Sequence, residues 1–159
     1  MSTGKIRWKT LLLCLAIPPA VGALSALLSL RGMKAYAALH HPPLSPPGWV
    51  FPVVWAVLYL LMGVACCLVV TAQTAPRYRQ GALYIYALQL AVKFFWSPIF
   101  FGTGAYRFAL LWLLLLWGLA ALTLRRFARV RPAAGWLLLP YLVWLTFAAY
   151  LNFGIALLN

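Results

Sequence analysis

The apolar residues of the chain fall into five long blocks, separated by short segments that carry prolines and basic residues. An α-helix needs about 20 apolar residues to cross the hydrocarbon core of a bilayer, and each block comes close to that length. The pattern therefore predicts an all-α membrane protein, in which residues 1–159 form a single domain, a bundle of five transmembrane helices. The predicted helices cover residues 10–30, 49–71, 81–101, 105–127 and 133–157.

Prolines set the limits of these predicted helices. Four prolines between positions 42 and 47 exclude a helix there, because proline lacks the backbone N–H that a helix uses. They predict a loop at residues 31–48. Pro140 lies inside the fifth predicted helix, where it predicts a kink. The first apolar block follows basic residues, as in a signal peptide, but it exceeds the roughly 7–15 residues usual for a signal core, so we expect it to be retained.

Composition narrows the possible chemistry. The chain is 66% hydrophobic and 8% charged, whereas soluble proteins contain about 25% charged residues, so most of its surface must face lipid. It has 13 Lys and Arg residues and no Asp or Glu. Carboxylate acid–base catalysis, carboxylate binding of hard cations and carboxylate-coupled proton transport are therefore excluded.

The basic residues predict the orientation, because they concentrate in cytoplasmic loops. Arg31, Lys34 and Arg107 lie on one side of the predicted bundle, and a larger basic set lies on the side of the N-terminus. We predict a multi-pass protein of a bacterial plasma membrane with a cytoplasmic N-terminus. Short basic tracts between apolar blocks suit the headgroups of a lipid bilayer rather than nucleic acid. The larger set is Lys5, Arg7, Lys9, Arg77, Arg79, Arg125, Arg126, Arg129 and Arg131.

Cysteine and histidine are too few and too poorly spaced to predict a metal site. Cys14, Cys66 and Cys67 lie inside apolar blocks, where small buried hydrophobic residues are the simpler interpretation. His40 and His41 have no Cys or carboxylate nearby and are expected to be solvated loop residues. We predict neither a metal nor a cofactor.

Two tryptophans, Trp55 and Trp144, do not fit an interfacial position. Interfacial tryptophans belong at helix ends, but Trp55 and Trp144 lie about two and three turns inside their predicted helices. Trp55 shares a helix face with Tyr59, and Trp144 shares one with Ala148. Two such faces could enclose a flat aromatic ligand or could simply pack together, and the spacing alone favours packing.

Tyr86, Gln89, Lys93 and Trp96 form a polar and aromatic stripe on the third predicted helix. Lys93 is a functional candidate, because an ionisable side chain inside a membrane is costly. Its side chain could snorkel to the interface. It could instead bond to Gln89, to Asn152 or to backbone carbonyls. A third alternative is an external counter-ion, either a lipid phosphate or a ligand carboxylate.

Three ordered blocks of sequence cover nearly the whole chain. They are Tyr36-Ala37-Ala38-Leu39 with Pro42, Pro46-Pro47-Gly48-Trp49-Val50-Phe51, Val54-Trp55, Leu58-Tyr59 and Met62-Gly63; Leu88-Gln89-Leu90-Ala91 with Trp96-Ser97-Pro98-Ile99-Phe100-Phe101-Gly102; and Leu139-Pro140-Tyr141-Leu142 with Trp144, Phe147 and Leu151-Asn152. This pattern resembles the tryptophan-rich sensory protein family, which includes the translocator protein, or peripheral-type benzodiazepine receptor.

The resemblance implies a five-helix bundle, often dimeric, with a pocket beneath the first loop for porphyrins, sterols or benzodiazepine-like and isoquinoline compounds. It also implies, for some bacterial members, light-dependent porphyrin degradation by the tryptophans that match Trp55 and Trp144. Carried over by position, the pocket residues are Trp49, Phe51, Trp55, Trp96, Phe108, Trp144, Ala148 and Leu151.

The chain departs from the family pattern at several positions. Lys93 stands where the family usually has Asn, Ala35 replaces a Trp, and Leu44 replaces an aromatic residue. The basic residue that completes the family's sterol motif after Tyr141 is absent, which argues against sterol binding. We add Lys93 to the ligand-binding residues and hypothesise that it pairs with a porphyrin propionate.

Three functions are open at this point. The leading hypothesis is a membrane receptor or binding protein for porphyrins and related flat apolar ligands, linked to tetrapyrrole regulation or transport, without catalytic residues. We expect a homodimer, for which Ala87 and Ala91 offer an unspecific small-residue packing pair. The first alternative is a light-dependent porphyrin-degrading enzyme that uses Trp55 and Trp144. The second is a structural membrane protein without a ligand.

Overall fold

The computed structural model of the protein describes residues 7–159. Within that range five helices are long and apolar enough to cross a membrane. The predicted all-α bundle of five membrane-spanning helices is therefore confirmed. The helices are α1 (Trp8–Ala37), α2 (Val50–Val70), α3 (Pro76–Ser97), α4 (Tyr106–Val130) and α5 (Pro132–Leu158), and a π-helical turn, Pro98–Gly102, follows α3.

Several predicted helix ends are wrong. Helix α1 continues to Ala37 instead of ending at residue 30, so the predicted loop at 31–48 shortens to residues 38–49. Arg31 and Lys34 suggested an end at residue 30, but basic residues can lie in a helix that has already left the lipid. The helix can continue because no proline follows before Pro42. Helix α3 begins at Pro76 rather than at residue 81, because the first helical position does not need an N–H. Helix α5 continues through Pro140, as its predicted range requires, and the kink expected there stays a prediction.

The other predicted ends differ by fewer residues. Helix α2 covers Val50–Val70 instead of 49–71, and α5 covers Pro132–Leu158 instead of 133–157. Helix α4 covers Tyr106–Val130, so it reaches past the predicted end at residue 127 into the basic segment.

The third predicted helix is not one continuous α-helix, because Pro98 changes its geometry. Proline cannot donate the N–H that would pair with the carbonyl of Phe94 four residues earlier. The Ser25 hydroxyl of α1 donates to that carbonyl instead, at 2.6 Å. Beyond Ser97 the chain continues as the wider π-helical turn. The missing donor of α3 is thus replaced by a bond between helices.

Close helix contacts occur where glycine lets backbones approach. Gly63 of α2 faces the backbone of Cys14, whose oxygen would lie 2.8 Å from an added Cβ. Gly32 of α1 packs against the backbone of Phe101 in the π-helical turn. The chain's three cysteines are free and buried, at Cys14, Cys66 and Cys67.

The loop at residues 38–49 is fastened to α5. The His40 N–H donates to Asn159 Oδ1 at 3.2 Å, and Asn159 Nδ2 donates to the His40 carbonyl at 2.9 Å. The Tyr150 hydroxyl donates to the Pro43 carbonyl at 2.7 Å. Leu44, the residue after Pro43, has φ 69°, in the left-handed region. These bonds hold the loop at the end of the bundle where α2 begins.

Candidate ligand-binding site

A cluster of aromatic side chains joins α2 to α5. The Trp55 and Trp144 rings meet edge to face, with centroids 6.4 Å apart and planes at 88°. Trp55 also stacks on Tyr59, at 5.5 Å and 25°. Phe51 meets Trp144 at 5.9 Å, and Tyr141 meets Trp55 at 6.2 Å. We call Phe51, Trp55, Tyr59, Tyr141 and Trp144 the aromatic cluster.

Lys93 of α3 reaches into this cluster. Its Nζ donates to the Tyr59 hydroxyl at 2.7 Å and lies 4.0 Å from the centroid of the Trp55 ring. Such a position over an aromatic face stabilises a cation. The residue is 5% exposed, so the snorkelling alternative is wrong. Its hydrogen-bond partner is also neither Gln89 nor Asn152, the two side chains named from the sequence.

Two further polar groups lie on the same face of α3. Gln89 is 1% exposed, and its Oε1 accepts from the Tyr141 hydroxyl at 2.8 Å. Its Nε2 is buried and has no hydrogen-bond partner among the described residues. The Tyr86 hydroxyl is also buried and has no hydrogen-bond partner among the described residues. Because a buried unpaired donor is costly in an apolar interior, these groups are candidates for ligand contact.

A second polar contact lies farther along α3. Trp96 Nε1 donates to Asn152 Oδ1 at 3.3 Å, and Asn152 Nδ2 donates to the Tyr106 carbonyl at 2.9 Å. The Trp96 ring also stacks on Phe100 of the π-helical turn, at 5.1 Å. The sequence predicts Trp96 as a pocket residue, whereas in the structure it packs where α3, α4 and α5 meet.

The structure brings four of the predicted site residues together. Phe51, Trp55, Lys93 and Trp144 are linked by the ring contacts and the cation position given above. Sequence reasoning missed Tyr141 as a site residue, although it lies one turn before Trp144 on the same face of α5.

The remaining predicted residues lie elsewhere or have other surroundings. Trp49 is 69% exposed at the N-cap of α2, and Phe108 is 52% exposed and packs on Trp112 at 6.2 Å. Both therefore lie on outward-facing positions. Ala148 packs against the main core, and Leu151 is buried.

An apolar groove of about 830 Å³ runs between α2 and α5. Many of its wall residues are exposed on the outside of the bundle, so the groove opens toward lipid. It shares Trp144 with the aromatic cluster. The walls are Val53, Val54, Val57, Leu58, Trp136, Leu139, Pro140, Val143, Trp144 and Phe147.

Within residues 7–159, no group of three or more His, Cys, Asp or Glu side chains is placed to hold a metal ion. His41 instead makes an aromatic contact: its ring packs edge to face on the Tyr36 ring, with centroids 4.7 Å apart.

Comparison with known proteins identifies the family. A sequence model described as the TspO/MBR family matches residues 14–158. The chain belongs to this family. The Tryptophan-rich protein TspO of Chlorobaculum tepidum is 37% identical over 151 residues, which cover 94% of this chain and 96% of that protein. The family resemblance found in the sequence blocks is thereby confirmed.

Two further relatives come from distant organisms. The Tryptophan-rich sensory protein of Cereibacter sphaeroides is 37% identical over 150 residues, 94% of this chain and 89% of that protein. The Translocator protein of Bos taurus is 40% identical over 125 residues, 77% of this chain and 73% of that protein. Family membership and the five candidate spans together make this TspO/MBR protein a multi-pass integral membrane protein.

Proposed function

We propose that this protein is a membrane receptor or binding protein for porphyrins and related flat apolar ligands, which it holds at the aromatic cluster. The contact between Trp55 and Trp144 across α2 and α5 carries the proposal. Indole and phenol rings bind flat π-systems by stacking or edge contacts. Neither indole lies at a helix end, where an anchoring role would place it.

The groove beside the cluster supports this proposal. Its volume of about 830 Å³ lies in the range of small-molecule sites, and its apolar walls suit a flat hydrophobic ring. A ligand dissolved in the bilayer can enter such a groove without crossing water. Trp144 then connects the groove to the polar groups behind it, of which Lys93 is the charged one.

A titration tests the proposal. The detergent-purified protein is titrated with protoporphyrin in the dark while tryptophan fluorescence is followed. We expect saturable quenching, weakened about three- to tenfold in Trp55→Phe and Trp144→Phe because each loses part of an aromatic contact. Trp8→Phe is the matched control, since Trp8 is exposed at the start of α1. Unsaturable quenching, or equal affinity in all four proteins, would contradict the proposal.

The second candidate is a light-dependent porphyrin-degrading enzyme. The observation that favours it is the same pair of indoles, close enough to touch one bound ring. Porphyrin would absorb the light, oxygen would be the oxidant, and Trp55 and Trp144 would react with the excited ligand. Loss of the porphyrin spectrum in light but not in darkness, abolished in both Phe variants, would support this activity. Equal loss without protein would refute it.

We also propose a cytoplasmic N-terminus in a bacterial plasma membrane. The native thiols are buried, so introduced cysteines can report the orientation. Ser45→Cys in the loop should react with an impermeant thiol reagent in intact cells. Gln73→Cys, between α2 and α3, should react only after permeabilisation. The reverse pattern would show the opposite orientation.

A homodimer through α3 is a further proposal. Ala87 and Ala91 are exposed on the outer face of this helix, where small side chains permit close helix approach. Ala91→Trp should shift the protein from dimer to monomer in native mass spectrometry, while Ala56→Trp on the exposed side of α2 should not. A wild-type monomer would contradict the proposal.

A further inference from the structure

The buried polar face of α3 has hydrogen-bond donors that find no acceptor among residues 7–159. The Lys93 ammonium has three N–H bonds, and the structure gives it one acceptor, the Tyr59 hydroxyl. Gln89 Nε2 has two N–H bonds and no partner among residues 7–159. The sequence contains no Asp or Glu that could neutralise the lysine.

These donors are close to each other. Gln89 and Lys93 are four residues apart on one helix, which places their Cβ atoms about 5–6 Å from one another. The Tyr59 hydroxyl accepts from Lys93, so its own O–H is available to donate to a third group. All three side chains belong to or adjoin the aromatic cluster, since Gln89 accepts from Tyr141.

A carboxylate is the chemical group that fits this set. It carries one negative charge and two oxygens with about four acceptor positions, so it can pair with the ammonium and still accept from an amide or hydroxyl. A neutral carbonyl or ester supplies fewer acceptors and no counter-charge. In a low-dielectric interior the difference is large, because an uncompensated buried charge is costly.

We infer that Lys93 and Gln89 make the site selective for flat apolar ligands that carry a free carboxylate. The inference rests on the proposed function, and it names the ligand class within it. Among tetrapyrroles, the site takes those with free propionate side chains in preference to the same ring with esterified side chains. Lys93 provides the charge, and Gln89 and Tyr59 provide additional donors.

Protoporphyrin and its dimethyl ester are the probes, because they share one ring and differ only in the acid groups. Affinities are measured by tryptophan quenching for wild type, Lys93→Met and Gln89→Leu. Lys34→Met is the matched control, because it removes the same charge from an exposed position in the last turn of α1. The ratio of acid to ester affinity is compared between variants, which cancels the different partitioning of the two probes into detergent.

We expect the wild-type ratio to exceed that of Lys93→Met by about tenfold or more, the effect of one hydrogen bond to a charged group. The ester should lose less affinity than the acid in Lys93→Met, because it offers fewer acceptors and no counter-charge. Gln89→Leu should lower the ratio by a smaller factor, and Lys34→Met should leave it unchanged. If Lys93→Met does not fold, Lys93→Gln replaces it, since it keeps donors and loses the charge.

The outcomes separate the inference from the function on which it rests. Saturable binding of both probes with the same ratio in wild type and the Lys93 variant would overturn the inference and leave the porphyrin-binding proposal standing. An equal fall of the ratio in Lys34→Met would overturn it as well, because the effect would then come from the overall charge. No saturable binding of either probe would overturn both.

Discussion

The hydroxyl of Ser25 provides a test of how this bundle compensates for a proline inside a membrane. Pro98 cannot donate to the carbonyl of Phe94, and the Ser25 hydroxyl donates to it from α1 at 2.6 Å. Ser25 is buried, so water cannot take its place. Ser25→Ala removes this donor and little volume, so the carbonyl of Phe94 loses its partner on α1.

The expected loss of stability in Ser25→Ala can be estimated from two kinds of measurement. Hydrogen bonds between membrane helices contribute about 0.6 kcal/mol on average in double-mutant cycles and about 1–2 kcal/mol in model peptides. A buried acceptor left unpaired costs about 1–3 kcal/mol. We therefore expect Ser25→Ala to lower the free energy of unfolding by about 1–2 kcal/mol. In a Pro98→Ala background residue 98 has an N–H for the Phe94 carbonyl, so the same serine substitution should cost about 1 kcal/mol less.

The measurement is reversible unfolding in mixed micelles, with added SDS as the denaturant and tryptophan fluorescence as the signal, for the four proteins of the cycle. Ser29→Ala is the matched control. Its hydroxyl donates at 2.8 Å to the Ser25 carbonyl within the same helix, so its loss leaves no bond between helices broken. The reasoning is refuted if Ser25→Ala is as stable as wild type, or if its cost is the same with and without Pro98.

Three further substitutions test other contacts. Gly32→Ala would drive a Cβ into the backbone of the π-helical turn, so we expect the free energy of unfolding to fall by about 1–3 kcal/mol in the same assay. Gly118→Ala is the control, because an added Cβ there meets nothing within 4 Å, and it should be neutral or slightly stabilising. Equal effects of the two substitutions would count against the packing argument. Asn152→Leu should lower the free energy of unfolding by about 2–4 kcal/mol, because the buried Asn152 side chain makes two hydrogen bonds that leucine cannot make. A change below about 0.5 kcal/mol would show that these bonds contribute little. Gly22→Ala should displace the Tyr59 side chain, which lies against that glycine, and so shift the emission of the stacked tryptophan; an unchanged spectrum would mean that the ring accommodates the methyl group.

Much of the fold could be predicted because the lengths of apolar blocks decide it. Five blocks of membrane-spanning length gave five helices in the expected order. The ends were harder, because basic residues can lie in a helix that has already left the lipid, as α1 shows beyond Leu30. Helix α3 likewise begins at Pro76, five residues before the predicted start at residue 81, because the first helical position does not need an N–H.

The candidate site could be predicted only in part. Depth within the helices singled out Trp55 and Trp144, and the cost of a buried charge singled out Lys93. Spacing along one helix defines a face but not the neighbouring helix that this face meets. The Lys93–Tyr59 bond and the outward position of Phe108 depend on the rotation of whole helices, which the packing of all five determines.

The two hydrogen bonds between His40 and Asn159 have a consequence for the order in which the protein is assembled. They join positions 119 residues apart, and Asn159 follows all five helices along the chain. Contacts of such long separation form late, because the entropy of closing the chain must be overcome first. During synthesis, α1 to α4 can be inserted before the loop at residues 38–49 has formed its hydrogen bonds to Tyr150 and Asn159. The arrival of α5 adds the hydrogen bonds from Tyr150 and Asn159 to that loop, so its attachment at this end of the bundle is complete only in a fully inserted chain.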